Sequence, residues 1–273
     1  MNKFAENLLR IAKSDIKASN YLYNKRFYSQ SFFSFQQAAE KANKAFGLLD
    51  QLIGEDGLKK VSHQSAKVQR NAVRQKKLEV EELIYAYTKN PMLNTITPFK
   101  DLDINGYYQK LNDIQTLFDK RYNEEIINIP LITLNDILYT LYEINDSKFK
   151  MPQEFKDSFK SKMLEYADGF GKLGKIKGKD EIYEVMKDDD QVKLLCEYLI
   201  KYFEELFQIQ KIHTVIFVCA FITSHHCEAA RYPNKGKDPL KTYTKKLPVV
   251  KLQPEFMDLL ENAIKKILKY CKN

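Results

Sequence analysis

The sequence predicts an all-α protein, an antiparallel helical bundle with a helical insertion, and three observations predict it. Over Ser31–Leu49, Phe32, Phe35, Ala39, Ala42, Phe46 and Leu49 step by three and four residues, which lays one apolar stripe along a helix. Helical spacing returns in stretches near Lys3, Val192 and Glu255. Thr214–Thr223, TVIFVCAFIT, is apolar on every side, as a helix enclosed by others would be.

Size and composition narrow the class. The chain has 273 residues, 44% hydrophobic and 29% charged, which suits an ordinary globular protein with a real core. No hydrophobic run is expected to reach the roughly 20 residues of a membrane span. MNKFAENLL carries an acid in its first turn and lacks the apolar core of a secretory signal. Four cysteines, Cys196, Cys219, Cys227 and Cys271, make no disulfide framework in so long a chain. A reduced, cytoplasmic protein without a membrane partner is expected. The net charge of +8 leaves nucleic acid or another polyanion open as a partner.

In chain order, the first helix is expected from Lys3 to Lys25, with Phe4, Leu8, Ile11, Asp15, Ala18 and Leu22 as its inner stripe. An acid in that stripe needs a partner, for which Lys41 or Lys44 is placed, or else a marginal position open to water. In the next helix Ala38 and Ala45 allow close approach, and Gln37, Glu40, Lys41 and Lys44 lie between the stripes. Gly54 and Gly57 make a turn, and Ser62 caps a further helix. There His63, Lys67, Arg70, Arg74 and Lys77 step by four, three, four and three, forming a basic ridge suited to phosphate oxygens. A plain solvated face balanced by Glu79, Glu81 and Glu82 is the competing reading. Pro91 and Pro98 close that helix.

Beyond it, Tyr108, Leu111, Ile114 and Phe118 have helical spacing, and helices are expected over Leu134–Ile144, behind a Thr133 cap, and over Gln153–Ala167. GFGKLG at Gly169–Gly174 follows a helix rather than a strand, so it reads as a flexible basic loop and not as a dinucleotide fingerprint. Val192–Leu206 forms a helix, with a break near Gln210 before Ile212–Ala230. Lys235–Lys246 is a turn-rich loop, and Glu255–Cys271 is the last helix. The domain expectation is a bundle of residues 1–90 with 190–273 and an insertion over 91–189, flexible at 169–179.

The chemistry-bearing stretch is SHHCEAARYPN, Ser224–Asn234. A helix there places Cys219 and His226 on one face and Arg231 at its end. His213, Cys219, His225, His226 and Cys227 fit no zinc spacing, so no metal and no cofactor is expected.

QQAAEKANKA, preceded by NKRFYSQS and followed by the VSHQSAKV turn, resembles the HEPN family, and AARYPN with PEFMDLLENAIKKILKY resembles its RYP-containing branch. The resemblance implies a HEPN-like helical bundle that binds a nucleotide or RNA in a groove lined by Glu40, Lys44, His63, His226 and Arg231, with Lys67, Arg70, Arg74 and Lys77 alongside. It also implies a homodimer, a toxin–antitoxin or phage-defence setting, and a nucleotidyltransferase as partner. Ribonucleases of the family are metal-independent and use an R-x(4–6)-H segment. Here no arginine precedes a histidine at that spacing, and the order is reversed, His226 before Arg231. Two alternatives stand beside binding: a divergent endoribonuclease with His226 as base and Arg231 as charge stabiliser, and a non-catalytic protein-interaction module.

Overall fold

Asn2 starts the first helix by turning its side-chain oxygen onto the N–H groups of Phe4 and Ala5, at 2.9 and 3.1 Å. The computed structural model describes residues 2–61, 67–89, 103–123, 128–172, 179–233 and 238–270, all of them helices and their connections. In chain order the helices are α1 (Lys3–Asn24), α2 (Tyr28–Leu49), α3 (Glu55–Val61), α4 (Lys67–Lys89), α5 (Ile104–Asn123), α6 (Leu131–Asp146), α7 (Gln153–Lys172), α8 (Lys179–Lys187), α9 (Asp189–Ser224), α10 (Pro239–Thr242), α11 (Pro248–Lys251) and α12 (Gln253–Tyr270). The all-α bundle is borne out.

The chain divides into two units. The first contains residues 1–73, 115–147 and 209–273, and the second 74–114 and 148–208. The expected single insertion over 91–189 therefore divides differently. Residues 115–147 join the bundle, because Leu134, Leu138 and Leu141 of α6 are buried in its core. The second unit takes in the far half of α4 and the near half of α9. It buries Val80, Leu111, Phe159 and Met186, with Tyr108 of α5 donating to Glu81 of α4 at 2.7 Å.

In the first unit α2 is the central element. Its predicted stripe of Phe32, Phe35, Ala39, Ala42 and Phe46 is buried, as are Ala38 and Ala45. The stripe expected on α1 is corrected by one residue. Ala5, Leu9, Ala12, Ile16 and Ser19 face the core, while Phe4 and Ile11 are 45% and 47% exposed. Both stripes have helical period, and the smaller side chains win because α2 offers α1 a surface of alanines, against which phenylalanine would hold the helices apart. Asp15 thereby lands at the margin, where Lys41 Nζ meets its carboxylate at 2.8 Å.

A buried polar knot joins α1, α2 and α12. Ser19 Oγ donates to the Ser31 carbonyl at 2.7 Å, and Ser31 Oγ donates back to the Ser19 carbonyl at 2.8 Å. Both hydroxyls accept from Gln253 Nε2, at 3.0 and 2.7 Å. The connections after α1 and α2 each contain a residue in the left-handed region, Arg26 at φ 65° and Gln51 at φ 57°.

Elsewhere the boundaries shift. α6 begins before its expected Thr133 cap, and Pro130 precedes it without a side-chain cap. α7 continues through Gly169 and Gly171, and α8 forms where only a loop was expected; residues 173–178 of that stretch lie outside the described residues. α9 runs unbroken past Gln210 but ends at Ser224, not Ala230. Thr223 and Ser224 turn their hydroxyls back onto the carbonyls of Cys219 and Phe221, at 2.7 and 2.9 Å, and thereby help to loosen the helix there. At 36 residues α9 is also long and apolar enough, by length and composition, to cross a membrane, which corrects the expectation that no stretch reaches that length; 44% of its most apolar window is buried within the fold.

Gly47 of α2 packs against Val68 of α4. A Cβ there would sit 2.7 Å from Val68 Cγ1, inside van der Waals contact. Gly47→Ala is expected to destabilise the protein by about 1–3 kcal/mol through overpacking. Gly47→Ala/Val68→Ala is expected to lose less than the two single effects combined. Urea denaturation of the three variants checks both outcomes.

Candidate functional site

A second, polar face of α2 lies beside its apolar stripe. Gln36, Glu40, Asn43 and Gly47 step by four, three and four, and the first three are no more than 4% exposed. A carboxylate so enclosed survives only when its oxygens are matched. Gln36 Nε2 donates to Glu40 Oε2 at 3.0 Å, and Lys44 Nζ donates to Oε1 at 2.6 Å. The predicted neighbours Glu40 and Lys44 are thus joined in one ion pair.

One turn further along, Asn43 and Gln69 of α4 exchange hydrogen bonds amide to amide. Gln69 Nε2 also lies 3.4 Å from His213 Nε2, so the ring accepts there. His213 stacks flat on Phe46, with centroids 4.3 Å apart. Burial lowers its pKa below the usual histidine value, against a smaller upward pull from Asp50. Cys227 is half-buried, and burial, followed by the field of Glu40, raises its thiol pKa. Sequence reasoning missed Gln36, Asn43, Gln69 and His213 as parts of a site. The four-three-four spacing of Gln36, Glu40 and Asn43 toward Gly47 is the signal that finds the α2 members, whereas nothing local points to Gln69.

The remaining predicted residues separate. His63 lies outside the described residues. Lys67 and Arg70 open α4 in the first unit, half-buried and each with interactions of its own. Arg74 and Lys77 belong to the second unit, where Arg74 is exposed and Lys77 Nζ lies 5.4 Å from the Tyr108 ring centroid.

His226 and Arg231 sit in different surroundings. The end of α9 at Ser224 leaves His226 in a turn rather than on a helix, which corrects its expected face-sharing with Cys219. Its ring is 0% exposed, its edge rests on Phe32 at a centroid distance of 4.8 Å, and its Nδ1 is 2.7 Å from the Tyr243 hydroxyl. Burial first, then neighbouring His225, pushes its pKa down to about 3. A neutral, enclosed imidazole suits a core better than a proton relay.

Arg231 is exposed. Its guanidinium carbon lies 4.6 Å from the Phe33 centroid and 4.8 Å from that of Tyr232, both within cation–π range. It borders a cleft of about 480 Å³ between the start of α2, at Gln30, Phe33 and Ser34, and the corner that runs from Ala230 through Tyr232. Ser29 Oγ fastens the two walls by donating to the Ala230 carbonyl at 2.6 Å. Asp238 also lines the cleft but spends an oxygen capping α10, at 2.9 Å from the Leu240 N–H. No ion pair or hydrogen bond among the described residues engages the Arg231 guanidinium.

Cys219 is fully buried, its thiol toward the Phe256 carbonyl at 3.7 Å. Among the described residues no three His, Cys, Asp or Glu side chains gather closely enough to hold a metal.

Because the unfolded chain binds a proton at His226 near pH 6.5 and the folded chain does not until about pH 3, stability is complete above pH 6.5 and falls as acid is added. Between pH 6.5 and about 5 this single group costs about 2 kcal/mol. His226→Gln is expected to flatten that part of the profile, measured as the urea midpoint at pH 7 and pH 5.

Residues 5–85 match the family model described as HEPN domain. The match ends well before Arg231, so the arginine-tyrosine-proline corner lies outside it. No curated protein and no solved structure matches the chain.

Proposed function

With residues 5–85 placed in the HEPN family, we propose that the chain is a nucleotide- or RNA-binding protein that holds a phosphate-bearing ligand in the cleft beside Arg231. The observation that carries this reading is the guanidinium itself. It is positioned by Phe33 and Tyr232, has no ion pair among the described residues, and is set at the edge of a space large enough for a nucleotide. A planar fork offers two parallel N–H donors to a phosphate, and the two rings keep it oriented before the ligand arrives. Tyr232 is 55% exposed and offers an aromatic face to a base.

The Glu40–Lys44 pair acts differently in this reading. Both groups are already satisfied, so they fix the polar face of α2 rather than meet the ligand. The endoribonuclease alternative draws less support, because a histidine fully enclosed and neutral down to about pH 3 has no access to a 2′-hydroxyl. The toxin–antitoxin or phage-defence setting, the nucleotidyltransferase partner, the homodimer and the cytoplasmic location are parts of the proposal that rest on the family resemblance alone. A purely protein-binding role would use the same exposed corner with no nucleotide.

Arg231→Ala is expected to weaken binding of a fluorescein-labelled single-stranded RNA, or of ATP competing with it, by about tenfold or more, the scale of a lost charge-assisted hydrogen bond. Arg231→Lys is expected not to restore it, since an ammonium neither forks nor stacks in the same way. Fluorescence anisotropy reads the affinities, and unchanged binding in Arg231→Ala removes the cleft from the mechanism. Cleavage of RNA in EDTA, lost in His226→Ala, would favour the ribonuclease instead.

A further inference from the structure

On the side of the first unit formed by α1 and α12, basic residues from both helices border a second cavity. Arg10 and Lys13, three apart on α1, and Lys265 and Lys269, four apart on α12, surround a groove of about 470 Å³ floored by Leu268. None of these residues lines the Arg231 cleft. The charges are only partly balanced. Glu6 holds Arg10 at 2.6 Å, and Glu261 holds Lys265 at 2.9 Å. Lys13 and Lys269 have no ion pair or hydrogen-bond partner among the described residues. Lys13 is half-buried and Lys269 exposed, and both line the groove. Like charges that line one groove repel in the free protein, and a bound anion relieves that repulsion.

We propose that this groove binds the phosphodiester backbone of single-stranded RNA, an inference that shares with the preceding reading only its choice of RNA. Among the described residues the groove is lined by four cations and Leu268, so it offers charge and hydrogen-bond donors but no acceptor side chain. Its recognition elements are three ammonium groups and one guanidinium, which take phosphate oxygens of any sequence. Lys265 and Lys269 stand one helical turn apart, about 6 Å along the axis, and the two α1 cations line the other wall. A single phosphate would leave part of this set unused, whereas a strand running along the groove passes each cation in turn. The groove thus supplies salt-sensitive, sequence-independent affinity, and the Arg231 cleft supplies the contact that depends on geometry.

The test compares wild type, Lys13→Glu/Lys269→Glu, the milder Lys13→Gln/Lys269→Gln, the charge-keeping Lys13→Arg/Lys269→Arg, and Arg231→Ala. Each is titrated against a labelled single-stranded RNA at several salt concentrations, after circular dichroism has confirmed native helix content. Losing two phosphate contacts should lower the slope of log affinity against log salt by about 1.4, at about 0.7 per contact on a single strand. Both charge-removing doubles should show that loss, and the arginine double should keep the wild-type slope. An unchanged slope in the Gln and Glu doubles overturns the groove, and if Arg231→Ala still weakens binding the cleft reading survives. A reduced slope in the doubles with Arg231→Ala neutral supports the groove and removes the cleft. Wild-type protein without affinity for RNA overturns the groove, and absence of affinity for ATP as well overturns the cleft; loss in the doubles of binding to anionic phosphatidylserine vesicles while RNA binding stays unchanged overturns the groove alone.

Discussion

The exchange of hydrogen bonds among Ser19, Ser31 and Gln253 is the constraint on which the bundle depends. Each serine hydroxyl donates to the other's carbonyl and accepts from the same amide nitrogen, so three helices meet at one point with these donors and hydroxyls matched, while Gln253 Oε1 is buried without a partner among the described residues. Every part of the knot is buried, and sliding any helix by one residue would leave a donor or acceptor stranded in an apolar interior. Apolar stripes tolerate such a slip far more readily than a hydrogen-bond network does. The knot therefore selects one register among several that the hydrophobic pattern would accept, and it ties the N-terminal hairpin to a helix more than 200 residues later in the chain.

From that register the two cavities follow. Fixing α2 against α1 and α12 places the start of α2 beside the corner at Ala230–Tyr232, where Ser29 completes the fastening, and it sets α1 alongside α12, where four cations gather. The two sites differ in chemistry because their walls differ. One wall carries aromatic rings around a single guanidinium; the other carries three lysines and an arginine around a leucine. Burial decides the opposite fate for His226, whose neighbours Phe32 and Tyr243 turn a candidate base into part of the core.

The stripe of α2, its alanine-lined approach and the Asp15–Lys41 pair were legible in the sequence, since each depends on spacing within one helix or on the cost of an unmatched charge. The inner face of α1 was not, because two apolar stripes one residue apart are indistinguishable until the partner surface is known. His226 illustrates a different limit. Its burial follows from Tyr243, seventeen residues on, and from the end of α9 at Ser224, neither of which helical periodicity reports. Gln69 and His213 were hidden for the same reason, as their meeting with Asn43 is wholly tertiary. Among the site residues named from sequence, Glu40 and Lys44 come together because they are one turn apart on one helix, and Arg231 keeps a cleft because the corner that carries it folds onto α2.

Arg26 is exposed, yet its backbone lies in the left-handed region within the three-residue link between α1 and α2. That link sets how far apart Ser19 and Ser31 emerge, so a dihedral angle on the surface governs whether two hydroxyls meet in the interior. Tolerance to substitution at this position should accordingly track conformational preference rather than charge or size: glycine or asparagine enter the turn easily, and valine or isoleucine resist it. The evolutionary freedom of such a site is narrower than its solvent exposure would indicate.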